Sequence, residues 1–378
     1  MSEPLKKPVT APESYSPKAV PEIVKLAAQG QAEARMPYTV KTANGGSYID
    51  GVPMLRWGEW RDCTYGGALA LIFDAIGVKT SYEEIMGLSG SCYKAILGED
   101  WDPSSEMPQV GVNCEHNAPQ ALGIRAYSIK DEKKRDARVM KSLDNGFPIL
   151  LCGQRGAPEW TVLTGYENTG GGVKLFGRTY FDYGGAPADE TFTGNQYYLA
   201  DQYPGEYPPS LLRFYDKTRK PLAPRKALKI SLETCIKTFE PAHGGYKEGY
   251  DAYDVYIAGF ELDDEQYKAK CTNDQYHVGS LMDARRAAHI YLRGSAALFT
   301  GENRAKLLQA SALFRAMLDN LLSAVPYEKT SSVFNGNSNP VWNTGQRRAL
   351  AAALRENKAL EKQVRVLIAD ILEHWKAE

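Results

Sequence analysis

Between Phe147 and Asp182 the chain carries three consecutive strand-like segments, which no all-helical fold can absorb. FPILLCGQ is a continuous apolar run, and WTVLTGYEN and GVKLFGRTYFD flank a Thr-Gly-Gly-Gly turn and read as an antiparallel hairpin. A helix precedes them: DEKKRDARVMKSLDNG puts Val139, Met140 and Leu143 on one side and stops at Asn145-Gly146. From about residue 223 the pattern becomes helical. The last of five apolar stripes runs Leu350, Leu354, Leu360, Val364, Leu367, Ile371 and Trp375 at steps of three or four. Helix first, antiparallel strands next and helices last predict an α+β domain followed by an all-helical one. The expected boundaries are an N-terminal arm at 1–40, an α+β domain at 41–215 and a helical domain at 216–378, with Pro204 to Pro224 as the linker.

At 378 residues and 43% hydrophobic content the chain can bury a large core. A formal charge of -1, from 45 basic and 46 acidic residues without long blocks of one sign, argues against nucleic-acid or membrane-surface binding driven by net charge. No run is long and apolar enough to span a bilayer and MSEPLKKPVTAPESYSPKAVP does not resemble a signal peptide, so the expected compartment is cytoplasmic. The six cysteines show no C-x-x-C pair, which fits a reducing compartment and neither a disulfide framework nor a zinc ribbon. No nucleotide fingerprint is present, and the expectation is no cofactor and no metal.

The segment most suggestive of chemistry is LRWGEWRDCTYGGALALIFDAIG, Leu55 to Gly77. An extended approach carrying Trp57 and Trp60 runs into Asp62 and Cys63, and the Ala/Leu/Ile-rich part reads as a buried helix stopped by Gly77. Cys63 is thereby placed at a helix N-terminus, where unpaired N–H groups and the helix dipole favour a thiolate; a buried core cysteine is the plainer reading. Thr80 or Ser81 is the expected cap of a helix over SYEEIMGLSG, broken by Gly87 and Gly90. GLSGSCYKAILGEDWDPSSE reads as a long loop with few core positions.

The order of a cysteine at a helix start, a GLSG segment, PILLCGQ, PEWTVLTGYE and a strand ending in Phe181-Asp182 resembles the papain-like cysteine fold. More narrowly it resembles the butirosin biosynthesis protein H family, and more distantly the double-glycine leader peptidases. The motifs cover residues 50 to 215, with a looser continuation through GGYKEGYDAYDVYIAGFE and DARRAAHIYL. The resemblance implies a helix packed on an antiparallel sheet, and acyl transfer or amide or thioester hydrolysis through a cysteine. Its substrates would be small molecules or peptides, a carrier-bound acyl donor included. The family's cysteine, histidine and Asp/Asn fall on Cys63, Glu159 and Asp182, so the histidine is replaced. The glutamine that papain-like enzymes place six residues before the cysteine is replaced by Trp57.

An imidazole suits both taking the thiol proton and protonating a leaving group, whereas a carboxylate beside a thiol opposes thiolate formation. Three accounts stay open: His116, beside Glu115, serves as the base; Glu159 serves as acid and base; or catalysis is lost and the pocket binds a ligand. Candidate binding residues are Trp57, Trp60, Asp62, Tyr65, Ser89, Ser91, Trp101, Trp160 and Arg178. Ser89 and Ser91 could present an anion-binding turn, Trp101 could wall the pocket or anchor its loop, and Arg178 reads as a solvated strand charge that could pair with Asp182 or Glu159. Asp283, Arg285 and Arg286 read as a surface ion-pair face. The long C-terminal stripe and polar arm are compatible with a homodimer.

Overall fold

The computed structural model describes residues 38–102, 107–152, 159–169, 172–180, 182, 191–192, 197–199, 212–217, 220–240, 245–330 and 342–375. The expected arm lies almost wholly in residues 1–37, outside the described residues, as does Phe181.

The chain enters as a hairpin that the sequence reading missed, β1 (Thr39–Ala43) and β2 (Gly46–Asp50), so the expected 1–40 arm ends inside β1. Helix α1 (Thr64–Ala75) begins after Cys63, and Gly77, at φ 72°, turns the chain away from its end. Helix α2 (Tyr82–Ser89) is capped by Ser81, whose hydroxyl accepts from the Glu84 N–H, and ends at Gly90 in the left-handed region. Gly87 does not break α2, contrary to expectation. It lies inside the helix, where a Cβ would come within 2.0 Å of the Tyr291 ring.

A 3-10 turn (Ser91–Tyr93) and strand β3 (Ile96–Gly98) follow. This stretch is not the loop with few core positions that its composition suggests: Cys92, Tyr93, Ala95, Ile96, Leu97 and Trp101 are all buried. Next come α3 (Asn117–Ala121), β4 (Ile124–Tyr127) and α4 (Glu132–Asp144), the last capped by Asp131.

Strands β5 (Ile149–Cys152), β6 (Trp160–Asn168) and β7 (Val173–Arg178) occupy the three predicted segments. With β8 (Thr191–Phe192) and β9 (Tyr197–Leu199) they complete a seven-stranded sheet ordered β1-β2-β6-β7-β9-β8, in which β5 also pairs with β6. All described pairings are antiparallel. β6 is the centre of the sheet: β5 and β2 share one of its edges end to end, and β7 takes the other. Seven of its nine residues are buried in an unbroken run, as a strand covered on both faces requires.

β10 (Phe214–Lys217) lies within the expected linker but pairs with β4, so that stretch belongs to the α+β part. The remainder is helical: α5 (Pro224–Lys237), α6 (Tyr250–Phe260), α7 (Asp264–Lys270), α8 (Asp274–Ser295), α9 (Gly301–Ala324) and α10 (Thr344–Glu373), with the short β11 (Tyr246–Glu248) pairing back onto β3. The main hydrophobic core runs across the expected 215/216 boundary, from Ile49, Phe73 and Leu163 to Leu292, Phe314 and Ile371. A second core gathers Trp101, Tyr256 and Phe260 with Leu318 and Leu350. The fold is thus mixed α+β with antiparallel sheets and a helical C-terminal region. No described helix is long and apolar enough to cross a membrane.

Candidate active site

Cys63 is the N-cap residue of α1, with extended backbone at φ -72° and ψ 100°. None of the six cysteines is in a disulfide, and Cys63 alone is not buried. Burial pushes the thiols of Cys92, Cys114, Cys152, Cys235 and Cys271 up, Cys114 to about 11 and Cys271 to about 12, as expected of inert packing residues. Cys63 borders a small cleft, with room for a water-sized group, lined also by Ser91, Lys94, Tyr256, Ser280 and the apolar side chains around them.

The start of β6 is tied to this helix end. The N–H of Trp160 points at the Thr64 hydroxyl, 3.5 Å away, and Trp160 packs edge-on against Tyr65 with ring centroids 5.5 Å apart. Glu159, buried, immediately precedes that contact. Tyr180 marks the middle of the assembly. Burial holds its phenol well above the usual tyrosine range, and the charges of Cys63, Glu159, Asp62 and Asp283 push it further in the same direction. Its hydroxyl donates to the Arg61 carbonyl at 3.3 Å, and its ring passes so close to Gly67 that a Cβ there would lie 2.0 Å from the phenol oxygen.

The remaining candidates fall in several places. Asp182 is buried; its Oδ1 accepts from the Thr179 N–H at 3.0 Å and the Thr179 hydroxyl at 2.9 Å, and its Oδ2 lies 3.7 Å from Arg178. Arg178 is not a solvated strand charge: it is buried, donates to the Val52 carbonyl at 2.8 Å and lies 4.2 Å over the Tyr197 ring. His116 is exposed, 3.7 Å from Glu115, and does not border the Cys63 cleft. Trp57 packs on Tyr180 at 4.7 Å, and the Tyr65 hydroxyl donates to the Glu115 carbonyl. Ser89 is buried and its hydroxyl donates to the Met86 carbonyl, whereas its neighbour Ser91 borders the cleft. Trp101 anchors its own segment in the second core, edge-on to Tyr256 and Phe260; it is Tyr256 that reaches the cleft.

Three groups whose part in the site the sequence reading missed, Tyr82, Asp283 and Tyr327, come from other elements. The N–H groups leading into α1 end on side chains: Gly58 on Asp62 Oδ1 at 2.9 Å, Trp60 on the Tyr327 hydroxyl at 2.8 Å, Asp62 on Asp283 Oδ2 at 3.0 Å and Cys63 on the Tyr82 hydroxyl at 3.1 Å. Tyr82 donates onward to Asp283, and Tyr327 to Asp62. Trp60 is held at φ 59°, a conformation costly for a bulky residue, by this clamp, by stacking on Tyr327 at 3.6 Å and by Arg286 5.5 Å from its ring. Arg286 also pairs with Glu83 at 2.8 Å and faces Asp283 at 3.9 Å.

Asp283 and Arg285 are wholly buried, which corrects the expectation of a surface face. Burial and the neighbouring Asp62 raise Asp283 to about 7, and burial raises Asp62 as well. Arg285 pairs with Glu361 at 2.5 Å and donates to the carbonyls of Cys92 at 3.1 Å and Lys94 at 3.0 Å, fixing one wall of the cleft from the helical side. The only signal in the sequence was the charged triplet Asp283, Arg285 and Arg286 in the middle of a helix, which can equally mark a solvent face.

Among the described residues the one cluster able to hold a metal ion is Asp370, Glu373 and His374 at the end of α10, where Lys306 already pairs with Asp370. Cys63, Glu159 and His116 form no such group.

No protein-family model and no curated protein matches this chain.

Proposed function

We propose that the chain is a papain-like protein of the butirosin-H-like kind, performing cysteine-dependent acyl transfer or hydrolysis on a small molecule or peptide. The observation that carries this reading is that the one cysteine of six that is not fully buried occupies the N-cap position of α1 and borders a cleft, beside the start of the central strand β6. Cys63 Sγ attacks the acyl carbonyl, its proton passes to Glu159, and the leaving group departs to give a Cys63 thioester that water or an acceptor amine then cleaves. Placement favours Glu159 over His116 as the proton acceptor, because β6 is tied to α1 through Trp160 while His116 is exposed. With no imidazole in that place, thioesters and other activated acyl donors suit the site better than amides, since a thiolate leaves without needing the proton that an amine requires.

One observation favours a second reading, in which the cleft binds a ligand without turning it over. Oxyanion stabilisation needs N–H donors aimed at the developing charge, and the Cys63 N–H is already committed to Tyr82. The test is incubation with a panel of acyl thioesters followed by intact-protein and peptide mass spectrometry, with Cys63→Ala alongside. An acyl adduct confined to Cys63, and loss of turnover in a stably folded Cys63→Ala protein, support the enzyme. Ligand-induced stabilisation that persists in Cys63→Ser, without an adduct, supports the binding role.

A further inference from the structure

We infer that Asp283, acting through Tyr82, is a positioning residue for Cys63, so that the helical region supplies part of the machinery of the α+β site. The inference rests on Cys63 being the reactive group but concerns a different relationship, between α8, α2 and the residue that starts α1.

A phenol can donate only one hydrogen bond. Tyr82 is buried in the space between α1 and α8 and donates its hydrogen bond to Asp283 Oδ2, which leaves a lone pair to accept the Cys63 N–H at 3.1 Å. Asp283 Oδ2 also accepts the Asp62 N–H at 3.0 Å, so one carboxylate oxygen on α8 fixes two consecutive residues, one directly and one through Tyr82. Were Asp283 to lose its charge, the phenol would lose its strongest acceptor and the direction of its hydroxyl would no longer be set. The Cys63 N–H is then held less firmly, and with it the extended backbone that turns the side chain toward the cleft.

The groups facing this carboxylate are Asp62 and Tyr180 from the α+β part, Tyr82 on α2, Arg286 three residues along α8, itself paired with Glu83, and Tyr327 from the turn after α9. One cation at 3.9 Å faces two buried carboxylates, so the pair holds a proton toward neutrality rather than only in acid.

The experiment uses full-length protein labelled with 15N-cysteine, which gives six amide signals, with Cys63 assigned by its loss in Cys63→Ser. Signal positions are followed from pH 5 to 8.5 in the natural sequence, Asp283→Asn, Tyr82→Phe and a control outside the clamp and the cleft wall, Tyr127→Phe at the end of β4, and the alkylation rate of Cys63 is measured on the same samples. The Cys63 amide is expected to titrate near neutrality in the natural protein and in Tyr127→Phe, and to lose that step in Asp283→Asn and in Tyr82→Phe. The alkylation rate above the thiol's own titration is expected to change on the order of tenfold in these two variants only. A Cys63 amide that does not titrate in the natural protein overturns the inference even if no variant folds, and so does a titration that survives in Tyr82→Phe. A Cys63 inert to alkylation would sink the catalytic reading instead, while the amide titration still decides the positioning one.

Discussion

The backbone N–H of Cys63 ends on the hydroxyl of Tyr82, 3.1 Å away, and that hydroxyl is in turn held by Asp283 on a helix more than two hundred residues along the chain. The two halves of the molecule therefore meet at the start of α1. How the Cys63 backbone is held depends on a side chain from the helical region, Asp283, that the α+β part alone does not contain.

Glu159→Gln should separate thiol reactivity from turnover. If Glu159 is the proton partner of Cys63 as proposed, removing this buried carboxylate relieves like-charge repulsion on the thiol, so alkylation of Cys63 at pH 7 should rise by about three- to tenfold. Acyl transfer should fall, because Gln cannot take the thiol proton. Alkylation by mass spectrometry and turnover of a thioester read the two effects; a parallel change in both would remove Glu159 from its role.

Glu361→Gln should destabilise the fold by about 3–5 kcal/mol, since it leaves the guanidinium of Arg285 buried against Tyr253 and two backbone carbonyls without its counter-charge. Urea unfolding measures this. A change under ~1 kcal/mol would show that Arg285 is sustained by its carbonyl and phenol partners alone.

Gly87→Ala tests the closest packing between α2 and α8. An alanine normally gains about 1 kcal/mol over glycine in a helix interior, but here its Cβ would come within 2.0 Å of the Tyr291 ring, and overpacking of that kind costs about 1–3 kcal/mol. The expected result is a lowered melting temperature; a raised one would mean that the ring can move aside.

Acidity should stabilise this protein over an unusual range. Burial raises Asp283 and Glu248 to about 7, and Asp62, Glu84 and Glu361 are also raised. A carboxyl raised in the folded state holds its proton there more tightly than in the unfolded chain. Its stabilising contribution is therefore complete below the unfolded value near 4 and is lost as pH climbs through about 7. Unfolding free energy should fall between pH 5 and 8, and the fall should be smaller, on the order of 1 kcal/mol for each substitution, in Asp283→Asn and Glu248→Gln. A slope unchanged in both variants would contradict the assignment.

Much of the backbone plan was legible in the sequence because it is set locally. Gly77 and Gly90 stop helices at positive φ, Ser81 caps one, and the continuous apolar run FPILLCGQ falls on β5, whose four residues are all buried. The clamp was not legible. Asp283 and Arg285 look like a wetted helix face until Tyr82, Asp62 and Glu361 are brought to them from remote parts of the chain, and a partner's identity is not written in local periodicity. Of the two readings of Trp101, wall of the pocket or anchor of its segment, the structure shows the anchor, with its ring in the second core against Tyr256 and Phe260. The cap position of Cys63 was readable; its hold by Tyr82 was not.

The central claim, that Cys63 is a nucleophile made by its place at the start of α1, is tested most directly by the pH dependence of alkylation at all six cysteines, read by peptide mass spectrometry on native protein. The account predicts that Cys63 alone reacts and that its rate inflects below the ~8.5 of a free thiol. A Cys63 that inflects at or above that value, or stays inert, would contradict it.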